Sequence, residues 1–198
     1  AVCGGYAEED PDAEGTFYNS AFLIGDGDCL ANYRKTHLFY REHEFFAPGN
    51  TGFGVTSYHG VRFGIMVCFD WIYPESARSL ALLGAQLILH PANLVLPYCQ
   101  RAMFARAVEN RVFVATANRV GSENNAFNDD LTFTGASQVV TPEGEYVLQF
   151  GETETGIRAV AVDPGLADRK ALNRYDTILR DRREEMYVRE LQAGDERA

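Results

Sequence analysis

The residue best suited to covalent chemistry in this sequence is a cysteine at the end of an apolar segment. Residues 61–69 are typical of a β-strand buried on both faces, and Cys68 lies near its end. A helix is expected to begin near Pro74, because proline at the first helical position loses no hydrogen bond. The sharp turn between them would expose the thiol, and backbone N–H groups nearby would favour its thiolate. A strand cysteine is more often a small buried hydrophobic residue, but this context favours a nucleophile.

A lysine and a glutamate upstream of the cysteine are the other candidates for a catalytic set. Lys35 ends an arm of a predicted hairpin, where its ammonium would stabilise a negatively charged tetrahedral intermediate, with the N–H of Phe69 as a second donor. A lysine at a strand end is otherwise usually solvated. Glu44 adjoins the aromatic residues 45–46, so desolvation is expected to raise its pKa. We interpret the neighbouring Glu42 as an exposed loop acid.

Four residues near the nucleophile and the predicted strand ends are candidates for contacts with a substrate. Trp71 and Tyr73 follow the cysteine closely and would shape a pocket, although plain packing explains them equally well. Asn93 follows the next predicted strand, where a capping or turn role is at least as well supported. Phe69 completes this set through its position beside the thiol.

A histidine base would make the cysteine resemble that of a papain-type peptidase. We find no recognisable partner acid for any histidine and interpret all four as loop, turn or supporting residues. Their scattered positions, and the lack of a phosphate-binding glycine loop, predict neither a metal nor a cofactor. A cysteine peptidase is therefore the weakest interpretation. The histidines are His37, His43, His59 and His90.

Length and charge limit the classes of function. The chain has 198 residues with 28 acidic against 18 basic side chains, a formal net charge of −10, which disfavours nucleic-acid binding. Its length suits a single domain, 1–198. We find no apolar run near the roughly 20 residues that span a bilayer and no signal segment, which predicts a cytoplasmic protein without membrane contact. The four cysteines match neither a zinc site nor a disulfide framework.

Alternating elements predict an α/β fold. Residues 17–24 and 29–35 flank a strong turn signal at 25–28 and are expected to form a hairpin, followed by a long loop over 36–56. Strands expected at 61–69, 87–89 and 112–117 are separated by helices that begin near Pro74 and Pro97, which indicates parallel strands. Their carboxyl ends would then place Cys68, the segment 90–93 and Asn118 on one rim.

The two ends of the chain carry separate expectations. Residues 1–6 resemble the end of a buried strand, which suggests that an upstream part is absent, and an acidic loop is expected over 8–15. Beyond the parallel strands we predict a hairpin of residues 135–141 and 146–150, a last strand over 157–162 and a short helix near 166–171. Residues 177–191 are expected to form a charged, partly helical tail.

Two motifs in this order resemble those of the nitrilase superfamily of carbon–nitrogen hydrolases. Tyr33-Arg34-Lys35-Thr36-His37-Leu38-Phe39 is similar to the lysine motif, and Met66-Val67-Cys68-Phe69-Asp70 followed by Tyr73-Pro74-Glu75 is similar to the cysteine motif. With supporting segments at 17–21, 46–49 and 106–111, the match runs in order over nearly the whole chain. His90-Pro91-Ala92-Asn93-Leu94-Val95 is most similar to nitrilases of thermophilic archaea of the Pyrococcus type.

The resemblance implies a nitrilase-like α-β-β-α sandwich, incomplete at the N-terminus, and a Glu-Lys-Cys catalytic set. It makes Cys68 the nucleophile, Lys35 the stabiliser of charge and Glu44 the second glutamate that positions the lysine. It places the general-base glutamate in an upstream Pro-Glu motif, so these 198 residues alone are expected to be inactive. It also implies a homodimer or higher homo-oligomer, with the tail 177–198 in the contact.

These features predict a hydrolase of non-peptide C–N bonds that converts a small amide or nitrile to a carboxylic acid and ammonia or an amine. The intermediate would be a cysteine thioester or its nitrile-derived equivalent. Amidases, nitrilases and carbamoylases share these reactive residues, so the sequence does not distinguish between the three activities. The alternative is a catalytically incomplete scaffold or interaction module.

Overall fold

A computed structural model describes residues 1–124 and 130–188 of the chain. Its first unit is a three-stranded antiparallel sheet in the order β1-β2-β3. The turn between β2 and β3 has positive φ at both central residues, Asp26 (53°) and Gly27 (91°), which suits the twist of a hairpin and confirms the predicted turn. The strands are β1 (Val2–Glu9), β2 (Phe17–Gly25) and β3 (Asp28–Arg34).

A six-stranded sheet and two helices follow. The sheet order is β11-β10-β7-β6-β5-β4, with β5, β6 and β7 parallel as predicted. The helices α1 (Pro74–Leu82) and α2 (Cys99–Asn110) make the two crossovers. The sheet strands are β4 (Val55–Tyr58), β5 (Val61–Ile65), β6 (Leu87–Ala92), β7 (Phe113–Asn118), β10 (Gln138–Val140) and β11 (Tyr146–Gln149), and a separate ribbon pairs β8 (Val120–Asn124) with β9 (Asp130–Thr134).

Two apolar clusters hold these elements as layers. Between the sheets, Ala21, Leu23 and Tyr33 of the small sheet pack near Ile65, the last residue of β5, and near Val67 just after it. The second cluster joins the opposite face of the large sheet to the helices. The described residues thus form an α layer and two β layers, which confirms the α/β class and agrees with the implied sandwich. The second cluster includes Ala77, Leu80, Ile88, Met103, Ala107 and Val114.

Helix α1 begins at Pro74 as the sequence indicates, whereas α2 begins at Cys99, two residues after the expected Pro97. Pro74 occupies the first turn of α1, and Gly84 follows the C-cap residue Leu83 with a φ of +90° that favours glycine. Helices α1 and α2 contain 9 and 12 residues. Within the part of the chain that the structure describes, no helix is long and apolar enough to cross a membrane.

The N-terminal expectations need correction. Residues 1–6 are not part of a buried strand: β1 is the edge of its sheet, and Val2 and Tyr6 are exposed. An edge strand is covered by a neighbour on one side only, so its apolar residues need not be buried. The acidic loop is also shorter than predicted, because Glu8 and Glu9 belong to β1 and pair with Tyr18 and Phe17.

Further differences lie beyond the parallel strands. Residues 157–162 form no strand, and Ile157 is fully exposed, so apolar composition alone did not produce pairing. The predicted helix near 166–171 is a 3₁₀ turn at Pro164–Asp168. In the tail, 3₁₀ structure is limited to Glu184–Met186, and residues 189–191 lie outside the described part. The predicted hairpin is confirmed as β10–β11.

Candidate active site

Cys68 lies on a sharp chain reversal after β5. The strand ends at Ile65, three residues before the cysteine, and a 3₁₀ turn at Cys68–Ile72 leads to α1. The φ of Cys68 is +44°, a left-handed conformation that is strained for a residue with a Cβ and is often kept at functional sites. The side chain is half-buried, and its Sγ lies 3.7 Å from the carbonyl oxygen of Asn93. The expected turn at the nucleophile is therefore present.

A buried carboxylate ties this turn to the lysine motif. Asp70 is fully buried, and its Oδ2 accepts hydrogen bonds from the backbone N–H of Val67 (2.9 Å) and the hydroxyl of Tyr33 (2.8 Å). Its Oδ1 accepts from the backbone N–H of His37 (3.1 Å) and lies 2.8 Å from Nδ1 of the same residue. His37 thus has a partner acid, contrary to the sequence-based interpretation. Tyr33 and His37 flank Lys35, so Asp70 fixes that segment relative to Cys68.

Lys35 is completely buried and pairs with Glu42. Its Nζ donates a short hydrogen bond to Oε2 of Glu42. Glu42 lies in the 3₁₀ turn Tyr40–Glu44, and its carboxylate also accepts from the backbone N–H of Phe39 (2.9 Å) and from Nδ2 of Asn19 (3.1 Å). Three donors from separate segments therefore hold this carboxylate beside the ammonium.

Glu44 does not have the contacts that were expected of it. Its Oε2 accepts a hydrogen bond from Nη2 of Arg41 at 2.8 Å, and its side chain is 51% exposed. In a 3₁₀ helix with three residues per turn, residues two apart point to different sides. Glu42 therefore faces Lys35 while Glu44 faces solvent. The assignments of these two acids from the sequence are wrong and must be exchanged.

A cavity of about 720 Å³ opens beside the thiol. Cys68, Glu42 and Asn93 are among the residues that line it, together with the glycine-containing start of β1. Asn93, which was expected to contact the substrate, therefore lines the cavity. Strand β1 contributes Gly4 and Gly5 to this lining.

The three aromatic candidates for substrate contact lie elsewhere. Trp71 is 5% exposed and packs in the helix-side core, and Tyr73 stacks on His37 with ring centroids 3.8 Å apart. The ring of Phe69 packs against that of Phe39 at 4.8 Å. Phe69 and Trp71 border only a recess of about 10 Å³ next to Cys68. Packing thus accounts for these three side chains.

Comparison with known proteins identifies the family. Residues 1–171 match the sequence profile of the Carbon-nitrogen hydrolase family. The chain belongs to the carbon-nitrogen hydrolase family. A nitrilase of Pyrococcus abyssi is 46% identical over 188 residues, which cover 95% of this chain and 69% of that protein. This confirms the resemblance that the two motifs indicated.

Relatives in the hydrolase family include amidases. An (R)-stereoselective amidase of Pseudomonas sp. is 38% identical over 186 residues, which cover 92% of this chain and 64% of the relative. A solved structure of an amidase from Nesterenkonia sp. matches with a TM-score of 0.75 at 30% identity, covering 93% of this chain and 65% of that one. That structure is a Glu-to-Gln variant with the acetamide moiety of fluoroacetamide covalently added at its active site cysteine. The present chain spans about two thirds of the length of these relatives.

Charges around the thiol act in opposite directions in this hydrolase-family site. Burial raises the pKa of Cys68, whereas the Lys35 ammonium and backbone hydrogen bonds at Asn93 and Phe69 lower it. The carboxylate of Glu42 raises it again. The net shift is upward, so the thiol needs a base or a further cation to ionise near neutral pH. Within residues 1–124 and 130–188, no group of three His, Cys, Asp or Glu side chains could hold a metal ion.

Sequence reasoning missed two supporting residues of this site. Asp70 was visible only as part of the cysteine motif. Its bonding partners are distant in sequence: Tyr33 precedes it by 37 positions and His37 by 33 positions. His90 was interpreted only as a loop, turn or supporting histidine, and its partner was not foreseen. It lies buried on β6, and its Nε2 is 2.9 Å from the carbonyl oxygen of Cys68. The signal for both was a polar residue inside an apolar segment, since a buried polar group needs a partner.

Proposed function

We propose that this protein hydrolyses a small amide or nitrile to a carboxylic acid and ammonia or an amine, through a covalent intermediate on Cys68. The observation that carries this proposal is the Asp70 carboxylate, which joins the turn holding Cys68 to the segment holding Lys35. The thiol lines the cavity, and the buried ammonium lies close enough to lower the pKa of that thiol. Membership of the carbon-nitrogen hydrolase family supports the reaction class.

The first half of the reaction forms a thioester. The thiolate of Cys68 attacks the amide carbon, an S–C bond forms, and the carbonyl π electrons move to oxygen. The Lys35 ammonium and the N–H of Phe69 would stabilise that oxygen anion. When the oxyanion collapses, the C–N bond breaks and the nitrogen leaves as ammonia or an amine after taking the proton that the thiol lost. A nitrile carbon would give a thioimidate by the same attack.

The second half consumes water. A water molecule loses a proton as its oxygen attacks the thioester carbon, and the same two donors stabilise the second tetrahedral intermediate. Its collapse breaks the S–C bond and releases the carboxylic acid. The thiolate is regenerated, so the cycle needs only substrate and water.

Two carboxylates that are held by hydrogen bonds are poorly suited to the proton transfers. Glu42 is held by Lys35, Asn19 and Phe39, and we assign it to positioning of the ammonium. For Glu8, burial alone would raise the pKa, but hydrogen bonds from Arg34 and other donors lower the pKa to about 2. A carboxylate with so low a pKa is a weak base. The family resemblance assigns the role of proton-transfer base to a further glutamate, which we do not identify with any of these residues.

The adduct in the related amidase suggests a direct test. The full-length protein is incubated with small amides and nitriles, and ammonia and acid are measured. It is then treated with fluoroacetamide and its mass determined with peptide mapping. We expect hydrolysis, and modification at Cys68 well before the exposed Cys29. Cys68→Ala should lose both, while Cys29→Ser should keep both. Full hydrolysis by Cys68→Ala would overturn the proposal, and equal modification of the two thiols would favour an inert scaffold.

We also propose self-association through the C-terminal tail. Met186, Tyr187 and Val188 expose much of their apolar surface, which would favour burial against a second copy. Light scattering should give a mass of a dimer or larger assembly for the full-length protein. Replacing all three residues by serine should lower that mass; an unchanged assembly would contradict a role for the tail.

A further inference from the structure

A hydrogen-bonded chain runs from the centre of the large sheet to the nucleophile. Parallel pairing of β6 and β7 places His90 opposite Thr116, and both are buried. Nδ1 of His90 lies 3.1 Å from the Thr116 hydroxyl, and Nε2 lies 2.9 Å from the Cys68 carbonyl oxygen. A carbonyl oxygen can only accept, so Nε2 carries the hydrogen. Nδ1 is then unprotonated and accepts from the Thr116 hydroxyl.

The Cys68 carbonyl, at which this series of hydrogen bonds ends, belongs to the same peptide group as the Phe69 N–H, the expected oxyanion donor. The carbonyl of Cys68 and the N–H of Phe69 belong to one planar unit, and the described chain contains no cis peptide. In a trans peptide the C=O and N–H bonds point in opposite directions. A donor that fixes the carbonyl therefore also fixes the direction of the N–H on the other side. Backbone hydrogen bonding at Phe69 lowers the pKa of the Cys68 thiol, which agrees with an N–H directed away from His90 and toward the sulfur.

We propose that His90 is a positioning residue that holds the Cys68–Phe69 peptide so that the Phe69 N–H points at the reacting carbonyl oxygen. This inference rests on the proposed hydrolysis and deepens it. The need for such a residue follows from the φ of +44° at Cys68, a conformation that persists only when its surroundings hold it. Hydrogen bonds in a chain also polarise one another, so the link from Thr116 through His90 makes the N–H a stronger donor.

The surroundings of His90 keep this link in one protonation state. Burial lowers the pKa of His90 to about 4, while the Cys68 carbonyl and Asp70 raise it and Lys35 lowers it. The neutral ring offers one donor and one acceptor, as the chain requires. Protonation would put a hydrogen on Nδ1 and break its acceptance from the Thr116 hydroxyl.

Three variants of the full-length protein test this role. His90→Leu removes both ring nitrogens, His90→Gln retains an N–H donor near the position of Nε2, and Thr116→Val removes the hydroxyl that orients the ring. An oxyanion donor acts in the transition state, so misdirecting it should lower kcat of His90→Leu by about 100-fold while KM changes by less than about threefold. His90→Gln should recover at least about tenfold of that loss, and Thr116→Val should lose less than His90→Leu.

Alkylation by iodoacetamide separates this role from a general loss of structure. Displacement of iodide by the thiolate creates no oxyanion, so the limiting rate of Cys68 alkylation at high pH, where the thiol is ionised, should stay within about threefold in all three variants. Parallel losses of kcat and alkylation would overturn the inference, because His90 would then only hold the turn. Unchanged kcat in His90→Leu, or no recovery in His90→Gln, would overturn it too. Absence of hydrolysis by the unmodified protein is a separate result, which removes the proposed function and this inference together.

Discussion

The buried ammonium of Lys35 donates a hydrogen bond to the carboxylate of Glu42, which also accepts from the side chain of Asn19 and the backbone of Phe39. The lysine is fully buried, so a charge partner is needed to keep it ionised. The carboxylate belongs to a one-turn 3₁₀ helix, and its other bonds fix its position. Glu42 is thus suited both to hold the ammonium in place and to balance its charge.

Exchanging Glu42 for glutamine should therefore reduce activity strongly. Misplacing a charged catalytic group by about 1 Å can cost on the order of 100-fold, and we expect at least that loss in kcat/KM. Glu44→Gln is the matched control, since Glu44 lies on the same short helix, is half exposed and pairs with Arg41 rather than with Lys35. Its activity should stay within about twofold. Equal losses in the two variants, measured as ammonia release from one amide, would refute the exchange of roles.

The residues proposed to carry the chemistry were largely recognisable in the sequence, because each lies at a change of local pattern. Cys68 ends an apolar segment before a proline, and Lys35 ends the arm of a hairpin whose Asp-Gly turn fixes the register. Parallel strands then follow from the alternation of strands and helices. These signals are local, so a single chain reveals them.

The partners of those residues could not be predicted in the same way. Which of Glu42 and Glu44 faces the lysine depends on the direction of a single 3₁₀ turn, and the adjacent aromatic residues pointed to the wrong acid. The bonds of Asp70 to Tyr33 and His37 form only when two distant segments pack together. At the other extreme, residues 157–162 had a strand-like composition but form no strand, because pairing requires a neighbour as well as propensity.

The charge of Lys35 should set the pH dependence of alkylation at Cys68. Its ammonium lowers the pKa of the thiol, so Lys35→Met should raise that pKa and move the midpoint of the alkylation profile to higher pH. The carboxylate of Glu42 acts in the opposite direction, so Glu42→Gln should move the midpoint to lower pH. Iodoacetamide rates from pH 6 to 10, with Cys29→Ser as background, measure both shifts. Midpoints that move in the same direction would contradict a direct charge effect.

Replacing Asp70 by asparagine should destabilise the fold as well as the site. The carboxylate accepts from Val67, Tyr33 and His37, and an amide can offer only one oxygen while its NH₂ meets one of these donors. Burial and the charge of Asp70 also raise the pKa of Tyr33, so the phenol remains a donor. Loss of charge-assisted bonds in a buried place is expected to lower the free energy of unfolding by roughly 3 kcal/mol.

Urea unfolding at pH 7.5 measures the effect of Asp70→Asn, and Asp26→Asn is its control. Asp26 lies in the exposed turn between β2 and β3, where its side chain is 73% exposed beside His59. Asparagine tolerates the positive φ of that turn, so the control should unfold like the unmodified protein. If Asp70→Asn had the same free energy of unfolding as the unmodified protein, the carboxylate would not be the link between the cysteine turn and the lysine segment.

The buried His90 should make stability depend on pH in a defined window. Burial lowers the pKa of His90 in the folded protein to about 4, against about 6.5 in an unfolded chain. As pH falls from 6.5 to 4, the unfolded state takes up a proton that the folded state does not, so the free energy of unfolding decreases. Above pH 7 this effect does not lower the free energy of unfolding, and by pH 4 it lowers it by about 3 kcal/mol. Because carboxylates titrate over the same range, the quantity to measure is the difference between the unmodified protein and His90→Gln in urea unfolding at each pH. That difference should change steadily through the window, and a constant difference would mean that the ring titrates in the folded state as it does in the unfolded one.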